Sequence, residues 1–193
     1  MKPLTDPVIT VVSVLAIAAQ VVLGILVLLC IAALFSPGAR RLLDRLRDRL
    51  AGSEIWIAFA VALVATAGSL FFQLYSEFQP CPLCWIQRAA MYPLVLLLPL
   101  VAVLSKGKRW PILLVGLLPV AGIIVASLHR VEEATAANFC SDQRACEYNW
   151  LMDRVPLEYI TIPTLSLTAF ALIIAFLLFA IFPPGKAAAE TGR

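Results

Sequence analysis

Five cysteines, at positions 30, 81, 84, 140 and 146, carry the clearest chemistry in this chain. Two sit in QPCPLCWIQR, residues 79 to 88, and two more in FCSDQRAC, residues 139 to 146. Paired cysteines admit three readings: two structural bridges, a four-thiolate metal site, or two dithiols that exchange electrons. A C-x-x-C bridge closes so short a loop that it adds little stability. The second spacing is looser than the usual zinc knuckle, and no zinc-ribbon context surrounds it. Exchange is the best supported of the three, because the residues around the first pair suit it.

Cys84 opens the run WIQRAAMYPLVLLLP, so the free amides and positive end of a helix would favour its thiolate. Arg88 follows four residues later, about one turn on and on the same face. An arginine inside an apolar segment is a functional signal, its bland alternative being to snorkel to the nearby interface. Pro82 removes one backbone donor between the cysteines and constrains their turn. Trp85 suits an aromatic belt at the membrane surface. His129, the lone histidine, closes the apolar run GIIVASLH; a single histidine excludes a bis-histidine haem site. It either turns its polar edge outward or hydrogen-bonds a ligand lodged near Arg88. A flat, membrane-dissolved redox carrier could reach such a place without crossing water, and quinone is the natural candidate.

These residues must be positioned by membrane helices. The chain has 193 residues, of which 62% are hydrophobic, far more apolar surface than one soluble core can bury. Apolar stretches near 8–35, 55–76, 85–104, 112–129 and 161–182 approach or exceed the roughly 20 residues that cross a bilayer as helix. No alternating pattern suggests a barrel. Five transmembrane helices are therefore predicted. The first is too long for a signal-peptide core, and its basic residues follow it rather than precede it, so a retained helix is expected.

Arg40, Arg41, Arg45, Arg47 and Arg49 cluster in the next loop, which predicts that it stays in the cytoplasm. Leu42, Leu43, Leu46 and Leu50 fall near one helical face, as in a segment lying on an anionic leaflet. Counting alternately, Lys106, Lys108 and Arg109 return to the cytoplasm with the 184–193 tail, which is expected to be disordered. Both cysteine pairs then face outward, where disulfides persist. The net charge of +3 is accordingly a topology signal and gives no indication of nucleic acid. Cys30, within the first helix, is expected to act as a small buried apolar residue.

CPLCWIQR, the histidine closing the next outward helix, the pair in FCSDQRACEYNW and the I-P-x-L-S-L start of the last helix (Ile162 to Leu167) together resemble the disulfide bond formation protein B family, DsbB, especially its shorter-loop BdbC-type relatives. The resemblance covers residues 54 to 182. It implies an all-α membrane protein: a DsbB-type four-helix bundle over 54–183, preceded by an additional N-terminal helix and basic amphipathic segment over 1–53. It further implies a bacterial cytoplasmic (inner) membrane enzyme that reoxidises a DsbA-like, thioredoxin-fold partner and passes electrons to ubiquinone or menaquinone, with no resident metal. By motif, Cys81 and Cys84 would be the quinone-coupled disulfide, with Cys84 next to the ring. Arg88 and His129 would be quinone-proximal, and Cys140 and Cys146 would be the disulfide that exchanges with the partner, Cys140 forming the mixed disulfide.

For the loop pair to reach CPLC, YNWLMDRVPLEY is expected to lie flat on the bilayer over 148–158, with an ordinary connecting loop as the alternative. Two rivals stand beside this reading. A vitamin K epoxide reductase-like oxidase would share the bundle and the quinone, but with its C-x-x-C downstream of the loop pair rather than upstream. A membrane scaffold would hold both bridges as permanent structure.

Overall fold

The computed structural model describes residues 3–105, 108–135 and 160–182. All the regular structure among them is helical: α1 (Thr5–Phe35), α2 (Pro37–Leu50), α3 (Glu54–Leu70), α4 (Pro82–Leu104), α5 (Trp110–Thr135) and α6 (Ile162–Ile181). Five of these, all but α2, are long and apolar enough to cross a membrane. Their outward faces carry large apolar side chains, Leu28, Leu34, Leu96 and Leu117 among them, each more than 60% exposed. Such surfaces suit lipid and not water.

Helices α3 to α6 form the expected bundle. Each packs along its two neighbours in a ring, α3 on α4, α4 on α5, α5 on α6 and α6 on α3. Ala58 and Ala62 of α3, Leu94 and Leu98 of α4, and Phe170 and Ile173 of α6 are wholly buried at its centre. Gly122 of α5 is needed there, since a Cβ at that position would come well within 3.0 Å of the Phe170 ring. The two helices can thus approach closely, in the manner of small residues at membrane helix interfaces.

α1 stands outside the ring and packs along α6 and α2. Arg40 folds back from α2 and donates to the carbonyl oxygens of Ala33 and Leu34, at 2.5 and 3.1 Å, which satisfies carbonyls that the end of α1 leaves open. Of the leucines expected to dip into a leaflet, Leu43 is buried with Ala33 and Phe179, and Leu46 and Leu50 pack against the same cluster. Only Leu42 is largely exposed. The amphipathic face of α2 is therefore spent mainly on the protein's own helices. Arg47 adds a cation–π contact over Phe179, at 5.3 Å from the ring centre.

Candidate functional site

The connection from α3 to α4 sets the site. Helix α3 ends in a π-helical turn, Phe71–Tyr75, a form common at functional positions because it shifts the register of the side chains that follow. Glu77 then adopts φ 61, a left-handed conformation that turns the chain sharply, and the Phe78 amide closes the turn on the Phe72 carbonyl at 2.9 Å. Phe72 and Phe78 stack at 5.7 Å and hold the reversal.

The chain thereby arrives at α4 with Cys81 as the N-cap and Pro82 in the first turn, where a missing N–H costs nothing. The sulfur of Cys81 accepts from the Cys84 amide at 3.2 Å. Advantage from the helix start was expected at Cys84; in the structure the sulfur that takes the amide is that of Cys81. The two Sγ atoms lie 2.7 Å apart as free thiols, placed to close a bond. Two thiolates on one tetrahedral zinc would sit farther apart, at roughly 3.8 Å for Zn–S bonds of about 2.3 Å. Although Cys81, Cys84 and His129 present three donor atoms within 4.8 Å, their spacing fits a dithiol better than a metal centre.

His129 does not end its helix. α5 continues through Arg130, Glu132 and Glu133 to Thr135, with Arg130 donating to Glu133 at 2.9 Å. His129 consequently points inward and is 4% exposed. Its Nε2 lies 3.7 Å from Cys81 Sγ, and its Nδ1 lies 3.1 Å from the amide nitrogen of Gln87. An amide N–H donating to Nδ1 leaves the proton of a neutral ring on Nε2, facing the sulfur. Cys81, just outside the span that it caps, has its thiol lowered to about 5. The hydrogen bond with Cys84 is the main cause, and hydrogen bonding from His129 adds to it against the opposing effect of burial.

Arg88 lies one turn below Cys84. Its guanidinium donates to Gln73 Oε1 and, at 3.4 Å, to the Ser69 carbonyl, and it stacks over Trp85 at 5.2 Å. The arginine is held by polar groups of the neighbouring helix end instead of merely snorkelling. Gln87, Gln73 and Ser69 were not singled out from sequence. The available signal was polar residues inside otherwise apolar runs, Ser69 and Gln73 being four apart and Gln87 lying within the C-x-x-C-W-x-Q-R motif itself.

A cavity of about 430 Å³ opens beside the pair, with Cys84, Gln87 and Arg88 at its head and Met91, Leu165 and Phe170 among its deeper walls. Neither Cys81 nor His129 lines it. The dithiol thus has two sides: Cys84 faces the cavity, and Cys81, 1% exposed, backs onto His129. The size lies within the range of small-molecule sites. A flat, carbonyl-bearing ring with an apolar tail fits the residues present, since Gln87 and Arg88 offer donors at the head of a mostly apolar space.

Cys140, Cys146 and the 148–158 segment expected to lie flat are outside the described residues, as is the 184–193 tail. Cys30, expected to be buried, is exposed on α1, a position that on a membrane-crossing helix faces lipid.

Comparison with known proteins gives a consistent picture. The family described as Disulfide bond formation protein DsbB matches residues 53–183. A probable disulfide formation protein of Deinococcus radiodurans is 36% identical over 132 residues, covering 65% of this chain and 86% of that protein. Disulfide bond formation protein C of Bacillus subtilis is 34% identical over 134 residues, covering 64% and 88%. A probable disulfide formation protein C 1 of Bacillus anthracis is 35% identical over 137 residues, covering 66% and 91%. No solved structure matches the chain.

Proposed function

The chain belongs to the DsbB family of multi-pass membrane proteins that act in disulfide bond formation, and on that premise we propose that it is a thiol:quinone oxidoreductase that reoxidises a DsbA-like, thioredoxin-fold partner. The observation that carries this reading is the two-sided dithiol: Cys84 opens onto an apolar cavity headed by Arg88, while Cys81 backs onto His129.

The cycle runs by thiolate exchange. A thiolate of the reduced partner attacks the Cys140–Cys146 bridge at Cys140. The partner's second thiol resolves the mixed disulfide, so the partner leaves oxidised and the loop pair holds two electrons. A loop thiolate then attacks the Cys81–Cys84 bridge; the loop disulfide re-forms and the membrane pair is reduced. A bound quinone supplies the acceptor for two electrons and two protons, which restores the Cys81–Cys84 bridge.

The chain's own residues do the rest. Arg88 places positive charge at the cavity head one turn from Cys84, where it would orient a carbonyl oxygen beside that sulfur. His129 holds a proton on Nε2 against Cys81 Sγ. The apolar walls keep water from the reacting sulfur. The proposed orientation puts both cysteine pairs and the N-terminus on the extracytoplasmic side and the C-terminus in the cytoplasm. The arginines of α2 and Arg109, which gather at the bundle end opposite Cys81, support it.

The test mixes the purified full chain in lipid nanodiscs with a reduced thioredoxin-fold partner and either ubiquinone or menaquinone, and follows quinone absorbance. Quinone-dependent oxidation of the partner is expected, with Cys84→Ser abolishing quinone reduction and Cys140→Ser abolishing exchange with the partner. Partner oxidation that ignores quinone, or none at all, rejects the reading.

A further inference from the structure

Helix α1 lies outside the 53–183 region matched by the family, yet it is not a bystander to the cavity. Four of its residues, Val12, Leu15, Ala16 and Ala19, line that space. From Val12 to Ala19 the run covers about 10 Å along the helix axis. The helix is pinned at this height from two sides. Thr5 and Ser76 share a hydrogen bond at 3.1 Å at the dithiol end, and Gln20 Nε2 donates to Thr168 Oγ1 at 3.0 Å deeper in the span. Ile9 packs with Phe72 and Phe78, the stacked pair that carries the turn into CPLC. A hydrogen bond between helices at this depth fixes both rotation and register, because lipid offers the two polar groups no other partner.

The opposite wall is α3, where Val61 and Val64 face the same space. α1 packs along α6 and α2 and makes at most slight contact with α3. Between α1 and α3 there is accordingly a cleft, apolar on both sides, that leads from the membrane flank up to Cys84 and Arg88. Gln79, Gln87 and Arg88 lie at the dithiol end of this space, Tyr92, Ser166 and Thr168 also line it, and the small side chains of Ala16 and Ala19 lie on its α1 wall. Such a shape fits a carbonyl-bearing ring at the top with an extended hydrocarbon chain beneath it.

We infer that α1 is the tail-binding wall of the acceptor site: the apolar tail of a membrane quinone enters between α1 and α3 and lies against Ala16 and Ala19, while its ring sits at Cys84 and Arg88. This rests on the function proposed above and extends it to a helix beyond the family region. α1 then sets how strongly tailed acceptors are preferred over tail-less ones.

The test uses the full chain in nanodiscs of phosphatidylcholine and phosphatidylglycerol, with two photoreactive quinones, one carrying a diazirine on the ring and one carrying it on the part of the tail nearest the ring. Adducts are mapped by mass spectrometry. The ring probe is expected to label residues near Cys84 and Arg88. The tail probe should label α1 within 12–19, with labelling suppressed by excess long-tailed quinone. Ring labelling without competed labelling of α1 overturns the inference and leaves the proposed function standing. Absence of competed labelling from both probes rejects the function itself. Uncompeted tail labelling spread over lipid-facing positions such as Leu28 and Leu96 means that the tail lies in bulk lipid, which also overturns the inference. As a second readout, Ala19→Phe is expected to raise KM for a long-tailed quinone about tenfold at unchanged kcat, with no change for a tail-less one. Leu28→Phe, on the outer surface of α1, should change neither.

Discussion

The amide nitrogen of Gln87 meets Nδ1 of His129 at 3.1 Å, and the other ring nitrogen of that histidine faces the sulfur of Cys81. Two helices are thereby joined by one buried relay, in which an α4 side chain decides where an α5 imidazole keeps its proton. Gln87→Leu should leave the bundle folded but free the ring. Losing one orienting hydrogen bond of roughly 0.5–1.5 kcal/mol predicts up to about a tenfold slower reoxidation of the Cys81–Cys84 pair. Stopped-flow measurement of that step checks it, and a rate equal to that of the unaltered chain would remove Gln87 from the relay.

Cys81 provides a pH signature. Its thiol is lowered to about 5, so the thiolate persists as pH falls and is lost only as pH passes below that value. In a reduced chain carrying serine at positions 30, 140 and 146, thiolate ultraviolet absorbance should therefore disappear near pH 5. His129→Phe removes one of the lowering contributions and should move the transition upward. A single transition near the free-cysteine value of about 8.5 would contradict the assignment.

Arg88 donates to both Gln73 and the Ser69 carbonyl, a forked geometry that lysine cannot reproduce. Arg88→Ala and Arg88→Lys should both raise the apparent KM for quinone, the former by roughly ten- to a hundredfold if a charged hydrogen bond of about 1.5–3 kcal/mol is lost. Gln73→Leu should shift KM in the same direction by less. Steady-state quinone kinetics with a chemically reduced partner distinguish the three.

Gly122→Ala sets helix propensity against packing. Alanine gains about 0.8–1.0 kcal/mol in an isolated helix, whereas overpacking a buried ring costs about 1–3 kcal/mol. Since the added methyl would clash with the Phe170 ring, net destabilisation is expected, read as earlier denaturation in detergent. Phe170→Leu should be less harmful in the Gly122→Ala background than alone, because the two changes share one space.

Much of this was legible from residues alone, for identifiable reasons. The five spans follow from hydropathy over windows as long as the membrane is thick, which is why each was located to within a few residues. Their ends were harder. α4 begins at Pro82 because proline suits the first turn and Cys81 caps it, and α5 runs past His129 because Arg130, Glu132 and Glu133 lower the hydropathy without stopping the helix. The second error mattered, since a histidine at a helix end points outward and one a turn and a half inside it faces the core. Cys84 and Arg88 were readable because their partnership is local, four residues along one helix. Gln73 and Gln87 were not, because their partners lie 15 and 42 residues away and meet only through the π-helical turn and the packing of α4 on α5. For α2, the leucine face was correctly seen as amphipathic, but periodicity does not say whether such a face meets lipid or protein.

The sealing of Cys81 has a further consequence for selectivity among reductants. With 1% of its surface open, the Cys81 sulfur is closed to direct attack by small soluble thiols, which would have to reach the pair through Cys84 on its cavity side. Access then requires the cap at the top of α4 to part, and an incoming loop held on the same chain, at high local concentration, is the reductant best matched to so brief an opening. On the function proposed above, the buried sulfur would work as a kinetic valve, keeping oxidising power inside a private circuit.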